Sequence, residues 1–346
     1  MMTTSYISSL GLWNAPRTAI GRLQSDVADA AKEIATLRYA DVGLALGGQV
    51  SRSLSLRQSA AEIAALKDGN GVTALRLGAT QNILQQLQKS ADTQFAALTG
   101  LTSDKRVAAM AASAGDTLAS LTSLLNSAAS GQTLFSGINT GVSPIKDGAV
   151  ANAQAAAAAA FQTAFGFPPS DPRASTLTAT QVKTFLDGTI AAQFADPNWG
   201  NTWSQASSTA VTSRISLSET VTTSVSANGT AFRQLAQAAI VSGMGLTGLS
   251  ADAQAVVSDR AMGLLSQASA GLVSLQADLG RSQSRITDAN TRLDAQGTLF
   301  QKEINRLEAV DPVEAKARLD AAQTQLQMSY SLTAQIQQLS LLKFLS

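Results

Sequence analysis

Residues 261–307 read AMGLLSQASAGLVSLQADLGRSQSRITDANTRLDAQGTLFQKEINRL. An apolar side chain recurs in this stretch at every seventh position: Leu265, Leu272, Leu279, Ile286, Leu293, Phe300 and Leu307. A sustained seven-residue repeat is typical of a coiled coil, and this one predicts roughly 60 Å of helix at 1.5 Å per residue. The pattern leaves one alternative open, an ordinary amphipathic helix in a bundle.

Capping residues mark both ends of this predicted helix. Ser250 offers an N-cap hydroxyl, and Asp252 places an acid in the first turn. At the other end, Asp311 fits the N-cap of a new helix and Pro312 fits its first position, with Glu314 in its first turn. The sequence therefore predicts that one helix ends near residue 310 and that another begins at Pro312.

The helix predicted after Pro312 has its own apolar face. Small and apolar residues follow three- and four-residue spacing, and a run of large apolar residues comes next: Leu319, Ala322, Leu326, Ser329, Thr333 and Ile336, then Leu339, Leu341, Leu342, Phe344 and Leu345. Such a run needs a surface to pack against. We therefore predict an assembly interface made of these residues: Leu265, Leu272, Leu279, Ile286, Leu293, Phe300, Leu307, Leu326, Ile336, Leu339, Leu342 and Leu345.

The N-terminal third repeats this organisation. One helical pattern contains Leu23, Val27, Ala30, Ile34 and Leu37, and a second contains Ile63, Leu66, Thr73, Leu77, Leu84, Leu87, Ala91 and Leu98. Between them, three glycines in residues 43–48 predict a non-helical connector. Asn70 occupies a core position of the second pattern, between two glycines. Either the glycines weaken a helical turn or cause a short break, or a buried Asn70 fixes the register of paired helices.

The pattern changes between about residues 136 and 245. Most of the prolines lie there, and residues 214–218 and 221–225 alternate partially, which predicts short strands. Residues 231–241 look helical again, and Trp199 and Trp203 are predicted to form the core of this block. The whole chain is therefore predicted to be mainly α, with long antiparallel coiled-coil helical arms from both ends and an inserted α+β middle domain.

The composition excludes several classes of function. The chain has no Cys and no His, so disulfides, cysteine nucleophiles, His-ligated zinc and Ser-His-Asp triads are impossible. A formal net charge of +1 gives no bulk attraction to nucleic acid, and neither a P-loop sequence nor a G-x-S-x-G sequence occurs. We therefore predict that the protein is not an enzyme, that it binds no cofactor or metal, and that it has no nucleic-acid partner.

The remaining charged residues have structural interpretations. Capping explains Asp311 and Glu314, and Asp187 and Asp196 are interpreted as isolated turn residues. The small basic groups Arg52, Arg57, Lys105 and Arg106 are interpreted as solvated residues, because no aromatic residues are interleaved with them.

Neither membrane insertion nor a cleaved leader is expected. The alanine-rich residues 151–160 are too few and too weakly apolar to span a bilayer. The first six residues lack the basic and apolar regions of a Sec signal, so we expect secretion, if it occurs, without a cleaved signal peptide.

Several short segments resemble the flagellin superfamily, and most closely its hook-associated members. The segments are LGRSQSRI at 279–286, VDPVEA at 310–315, QTQLQMSY at 323–330, LSLLKFL at 339–345 and LFSG at 134–137. The resemblance covers about residues 1–140 and 245–346. Residues 37–43 differ from the motif that filament flagellins usually carry near position 40, which weakens a filament assignment. The resemblance to the subunit at the junction of hook and filament rests mainly on the C-terminal segments and on LFSG.

The resemblance implies a structural subunit of the extracellular bacterial flagellum, exported through the flagellar type III apparatus. It implies as partners copies of the protein in a ring, neighbouring hook-associated and flagellin subunits, and an export chaperone for the C-terminal region. It also implies five segments: an N-terminal axial-core arm (1–60), an N-terminal helical arm (61–138), an outward-facing middle domain (139–245), a C-terminal helical arm (246–310) and a C-terminal axial-core helix (311–346).

Two alternatives remain open. The first is a filament flagellin of the same superfamily. The second is a secreted helical translocator or adhesin whose alanine-rich residues 151–167 meet a membrane.

Overall fold

A computed structural model describes the backbone of residues 9–345 and the side chains of residues 17–335 and 338. Helix makes up 76% of the structure, and the strands are few and short. The prediction of a mainly α fold with long helical arms is therefore confirmed.

Long helices lie at both ends of the sequence, and the shorter elements lie between them. The helices are α1 (Ser9–Thr36), α2 (Val42–Leu46), α3 (Val50–Thr99), α4 (Ser103–Leu125), α5 (Ala149–Phe165), α6 (Ala179–Thr184), α7 (Ala191–Gln193), α8 (Asn198–Thr202), α9 (Thr230–Gly243), α10 (Ala251–Glu308) and α11 (Pro312–Leu345). Among the described residues, the strands form two antiparallel hairpins, β1 (Ala128–Ala129) with β2 (Gln132–Thr133) and β3 (Thr212–Arg214) with β4 (Thr220–Thr222). A π-helical segment (Phe185–Ile190) joins α6 to α7.

The chain folds into two compact units. The first combines residues 1–65 with residues 293–346, and the second is the continuous stretch 66–292. The boundary falls within α3 and within α10, so each of these helices contributes residues to both units. The five segments implied by the resemblance stay a prediction.

In the second unit, α3 and α10 run antiparallel. The Gln81 side-chain amide donates a hydrogen bond to the carbonyl of Gln276 (3.0 Å), and the Gln276 side chain donates to Gln88 (2.9 Å). Farther along, Ser269 donates to the Asp92 carboxylate (2.6 Å). Residue numbers on α10 fall as those on α3 rise, which confirms the antiparallel arrangement predicted for the arms.

Asn70 is buried inside an unbroken α3. Its side chain is 1% exposed, and its amide donates to the Asn290 side chain (2.7 Å) and to the carbonyl of Ile215 (2.9 Å). The interpretation of a helix break is wrong, because α3 continues through both neighbouring glycines. The buried Asn70 side chain instead connects α3 with α10 and with the β3–β4 turn, and its two hydrogen bonds fix the register of α3 against α10.

Replacing Asn70 with alanine should destabilise the second unit by about 1–3 kcal/mol, because the buried carbonyl of Ile215 and the partly buried side-chain oxygen of Asn290 would lose their donor. Urea unfolding, followed by the fluorescence of Trp199 and Trp203 in a Trp13→Phe background, measures this change. Asp68→Ala is the control, since Asp68 lies two residues away on the exposed face of α3. Equal midpoints for the two variants would contradict the role assigned to Asn70.

Two local predictions need correction. Residues 42–46 are helical rather than a non-helical connector, because the Asp41 carboxylate caps them by accepting a hydrogen bond from the Leu44 amide (2.9 Å). The first predicted strand was placed too late in the sequence. Residues 215–219 form the turn between β3 and β4, where the Ile215 amide donates to the Glu219 carbonyl (2.9 Å).

Two stacked tryptophans lie in the core of the second unit, as predicted. The rings of Trp199 and Trp203 lie 5.3 Å apart and nearly parallel, and both residues are at most 1% exposed. The Trp199 ring nitrogen donates to the side chain of Asn228 (3.1 Å). This hydrogen bond satisfies the only polar group of the Trp199 side chain, so the ring can be buried without an unpaired donor.

The LFSG segment (134–137) connects three parts of the second unit. Phe135 is fully buried, and its ring meets that of Phe232 edge-on at 5.7 Å. Gly137 has a φ of +60°, and a Cβ there would lie 2.4 Å from the Ser207 carbonyl oxygen and 2.5 Å from that of Thr209. Glycine is therefore required at this position by both its backbone conformation and its surroundings.

Candidate assembly surfaces

The apolar residues that recur at every seventh position of α10 form its predicted seam. In the second unit, this seam is buried within the chain itself. Leu265, Leu272, Leu279 and Ile286 are each at most 4% exposed and belong to the core of that unit. These side chains stabilise the protein's own fold, at roughly 1.5–3 kcal/mol for each fully buried residue. A part for them in contacts between subunits stays a prediction.

The seam shifts by one residue after Leu293. In the first unit Leu293 and Ile304 are buried, whereas Phe300 and Leu307 are only half-buried. A Cβ at Gly297 would lie 3.7 Å from the Ile63 side chain, so position 297 also faces inward. The seven-residue repeat missed Ile304. The three- and four-residue spacing from Leu293 through Gly297 and Phe300 to Ile304 would have identified it.

α11 begins as predicted and packs along α1. The Asp311 carboxylate accepts a hydrogen bond from the Val313 amide (2.8 Å), which caps the helix. On α11 the inward-facing residues are Ala315, Leu319, Ala322, Leu326, Ser329 and Thr333, and on α1 they are Ile20, Leu23, Val27, Ala30 and Ile34. This face is the predicted one. The side chains of Ile336, Leu339, Leu342 and Leu345, also predicted for the interface, lie outside the described residues.

Polar contacts set the direction of this helix pair. The Gln24 amide donates to the Tyr330 hydroxyl (2.8 Å), and the Arg318 guanidinium lies 2.9 Å from the buried carboxylate of Glu33. The other Glu33 oxygen accepts from the Ala40 amide (3.0 Å). α1 and α11 are therefore antiparallel, and Glu33 links them to the turn that follows α1.

A buried carboxylate joins the segments of the first unit. The Glu308 side chain is 1% exposed and lies 2.6 Å from the Arg38 guanidinium. It accepts hydrogen bonds from the buried Ser53 hydroxyl and from both the Nε (2.9 Å) and a terminal nitrogen of Arg57. Its backbone carbonyl accepts from the Tyr39 amide (3.1 Å). Glu308 thus connects the turn after α1 and the start of α3 with the end of α10.

These partners determine the charge of Glu308. The hydrogen bond from Arg57 lowers the pKa of this carboxyl from 4.5 to about 2, with smaller contributions from Ser53 and Arg38 in the same direction. Burial opposes this by raising the pKa, and its effect is smaller than that of Arg57. Glu308 is therefore ionised throughout the physiological pH range.

The stability of the first unit should consequently depend on pH in the acid range. Glu308 has a lower pKa in the folded protein than in the unfolded chain, so its contribution is complete above about pH 4.5 and is lost as the pH falls towards 2. Hydrogen exchange at the amides of Tyr39 and Val310, corrected for intrinsic rates, should show this loss. An E308Q variant should lack it. The same pH dependence in both proteins would contradict the assignment.

The sequence did not reveal these ion pairs. Arg52 and Arg57 were interpreted as solvated. In the structure Arg52 lies 3.6 Å from Glu303, and Arg57 forms an ion pair with Glu308. Three further pairs were also missed: Arg106 with Asp259 (3.4 Å), Asp187 with Arg260 (3.3 Å) and Asp196 with Arg233 (3.1 Å). The interpretation of Asp187 and Asp196 as isolated residues is therefore wrong. Arg260 and Arg233 are distant in sequence, so no local pattern could have indicated them. Asp187 also pairs with Lys183 four residues earlier, and this i,i+4 spacing is visible in the sequence.

The α1–α11 pair has an exposed uncharged face. Ala317, Ala321, Thr324, Met328 and Leu332 recur along the exposed side of α11, and Ala321 lies at its edge, beside the groove between α11 and α1. Met328 is 59% and Leu332 57% exposed, so large apolar groups face outward. This face is available for packing against another helix.

No part of the described chain groups three or more acidic side chains closely enough to hold a metal ion. The described helices include none with the length and apolar character needed to cross a membrane.

Residues 262–345 match the family model of the bacterial flagellin C-terminal helical region. The match spans most of α10 and all of α11. No curated protein matches the chain. The C-terminal helices are therefore similar to those of bacterial flagellins, which supports the flagellin superfamily and a structural, flagellar role for this protein.

Proposed function

We propose that the protein is the flagellar subunit that forms the junction between hook and filament, in the manner of flagellar hook-associated protein 3. The flagellin-like C-terminal region, residues 262–345, is the observation that carries this proposal. The C-terminal segments and LFSG at 134–137 support the junction, and residues 37–43 weaken the filament alternative, since they differ from the filament motif.

Assembly proceeds by lateral packing of helices. The α1–α11 pair offers its uncharged face, Ala317 to Leu332, and the leucines of residues 339–345 extend the apolar sequence beyond it. Each leucine that becomes buried contributes roughly 1.5–3 kcal/mol, so a few of them suffice to drive association. The buried seam of α10 keeps the arm rigid, and the middle domain faces outward.

The subunit reaches this position by export through the flagellar type III apparatus and acts outside the cell. A chaperone covers the C-terminal region before export, because exposed apolar residues there would otherwise associate prematurely. In the assembled flagellum its neighbours are copies of itself in a ring, another hook-associated protein and flagellin.

Immunogold electron microscopy of intact flagella, with antibody against residues 140–245, tests this function. A single band of label at the junction of hook and filament is the expected result. Label along the whole filament would make the protein a filament flagellin. Absence of label from flagella would favour a secreted translocator or adhesin.

A further inference from the structure

A groove of about 600 Å³ lies between α1 and α11 in the first unit. Asp26 and Asp29, one helical turn apart on α1, line one wall, and both are exposed. Among the described cations none pairs with either residue, whereas the nearby Glu33 is already occupied by Arg318. Asp41 also lines the groove, is exposed, and has no ion pair with any described residue. The groove therefore carries three uncompensated negative charges.

The opposite wall is uncharged apart from Arg318. It consists of Ala321, Ala322 and Gln325 on α11. Leu44 of α2 also lines the groove and is 84% exposed. A complementary helix would thus present cations towards α1 and an apolar side chain towards the uncharged wall.

One exposed face of α10 in the first unit has this character. Leu299, Lys302 and Arg306 follow i, i+3, i+7 spacing, which places them on one side of the helix. Leu299 is 57% exposed, and the Arg306 side chain is 75% exposed with only a long contact to Glu303 (3.7 Å). Lys302 has no ion pair with any described residue. The face extends over two turns, about 10 Å, as does the acidic wall from Asp26 to Glu33.

We propose that the acidic groove of one subunit receives the Leu299–Lys302–Arg306 face of a second copy of this chain. The two surfaces differ, so the contact is heterologous, and repetition of it generates a ring or a helical array rather than a closed pair. This inference rests on the proposed function, because it specifies how neighbouring copies meet. Arg17 and Arg22 on α1 are also basic and exposed, but their five-residue spacing places them on different sides of the helix, and no large exposed apolar side chain accompanies them among the described residues.

Charge reversal and rescue test the pairing. Sedimentation velocity of the purified full-length chain in low salt measures self-association over a range of concentrations. Reversing either surface alone, with D26K/D29K or with K302E/R306E, should weaken association about tenfold or more, because attraction is replaced by repulsion. Combining all four substitutions should restore association, since the surfaces remain complementary with their signs exchanged.

R17E/R22E is the matched control, because it changes the net charge by the same amount on the same unit. It should leave association within about twofold of the wild-type value. Circular dichroism of each variant verifies that the helices are intact. An equal loss in this control, a failure of the four-substitution variant to recover, or a wild-type chain that stays monomeric would each overturn the proposed contact.

Immunogold labelling in cells tests the proposed function independently of the association measured in solution. Gold label at the junction in cells, with no rescue by the four-substitution variant, refutes the contact and leaves the junction role intact. Rescue in solution with label elsewhere supports the contact and refutes the junction role. Weakened incorporation of D26K/D29K in cells with unchanged self-association in solution would show that the groove receives a different protein, which also overturns the contact.

Discussion

Replacing Gly137 with alanine is expected to cost about 3–4 kcal/mol of the unfolding free energy of the second unit. The new Cβ would lie within 2.5 Å of the carbonyl oxygens of Ser207 and Thr209. Both atoms belong to the backbone, so relief requires the segment around residues 207–209 to move. The residue would also hold a φ of +60°, which itself costs about 1 kcal/mol for an L-amino acid.

A second glycine separates these two causes. Gly131 has a φ of +75°, but nothing lies within 4 Å of a Cβ built there. Gly131→Ala should therefore cost only the conformational strain, about 1 kcal/mol. Urea unfolding followed by the fluorescence of Trp199 and Trp203, in a Trp13→Phe background, compares the two variants. Similar midpoints would mean that the close approach at Gly137 relaxes without cost.

Replacing Glu308 with alanine is the second change with a large expected effect, about 3 kcal/mol in the first unit. A pKa lowered from 4.5 to about 2 corresponds to a stabilisation of this size. The cost stays below the upper range for buried ion pairs, because Arg38 and Arg57 are nearly half exposed and can be hydrated again. Ser53, by contrast, is buried and would lose its acceptor.

Hydrogen exchange at the amides of Tyr39 and Val310 reports this loss directly, because these amides hold the turn after α1 against the end of α10. Exchange there should be more than 100-fold faster in E308A, as 3 kcal/mol implies. Glu303→Ala is the matched control on the same helix. Its contact with Arg52 is long (3.6 Å) and the Arg52 side chain is largely exposed, so the change should be at most about 1 kcal/mol. Equal protection in the two variants would refute the role of Glu308.

Local patterns predicted the long helices and their ends well. The seven-residue repeat of α10 as far as Leu293, the cap at Ser250 and the Asp311–Pro312 boundary each depend on neighbouring residues, and each is present in the structure. The burial of Trp199 and Trp203 followed from their size and surroundings. These features are set by spacing and by short-range chemistry, which a single sequence displays.

Contacts between distant residues were not predictable in the same way. Nothing near Glu308 in the sequence indicates Arg57, which lies 251 positions away. Asn70 could be identified as unusual, but its two hydrogen-bond partners, Asn290 and Ile215, depend on the tertiary arrangement. The candidate groove likewise forms only when α1 and α11 pair, so its acidic wall was not visible as a surface.

The first unit is built from two segments that are far apart in the sequence, and this separation affects the order of folding. Residues 1–65 can complete it only with residues 293–346, and residues 66–292 intervene. At ribosomal rates of roughly 5–20 residues per second, the apolar face of α1 waits on the order of ten seconds or more for its partner helix to be synthesised. Contacts of such long sequence separation form slowly, and prior folding of residues 66–292 would shorten the loop to be closed. A chaperone bound to residues 293–346 would prolong this interval, because α1 would remain without its partner helix for as long as the chaperone stays bound.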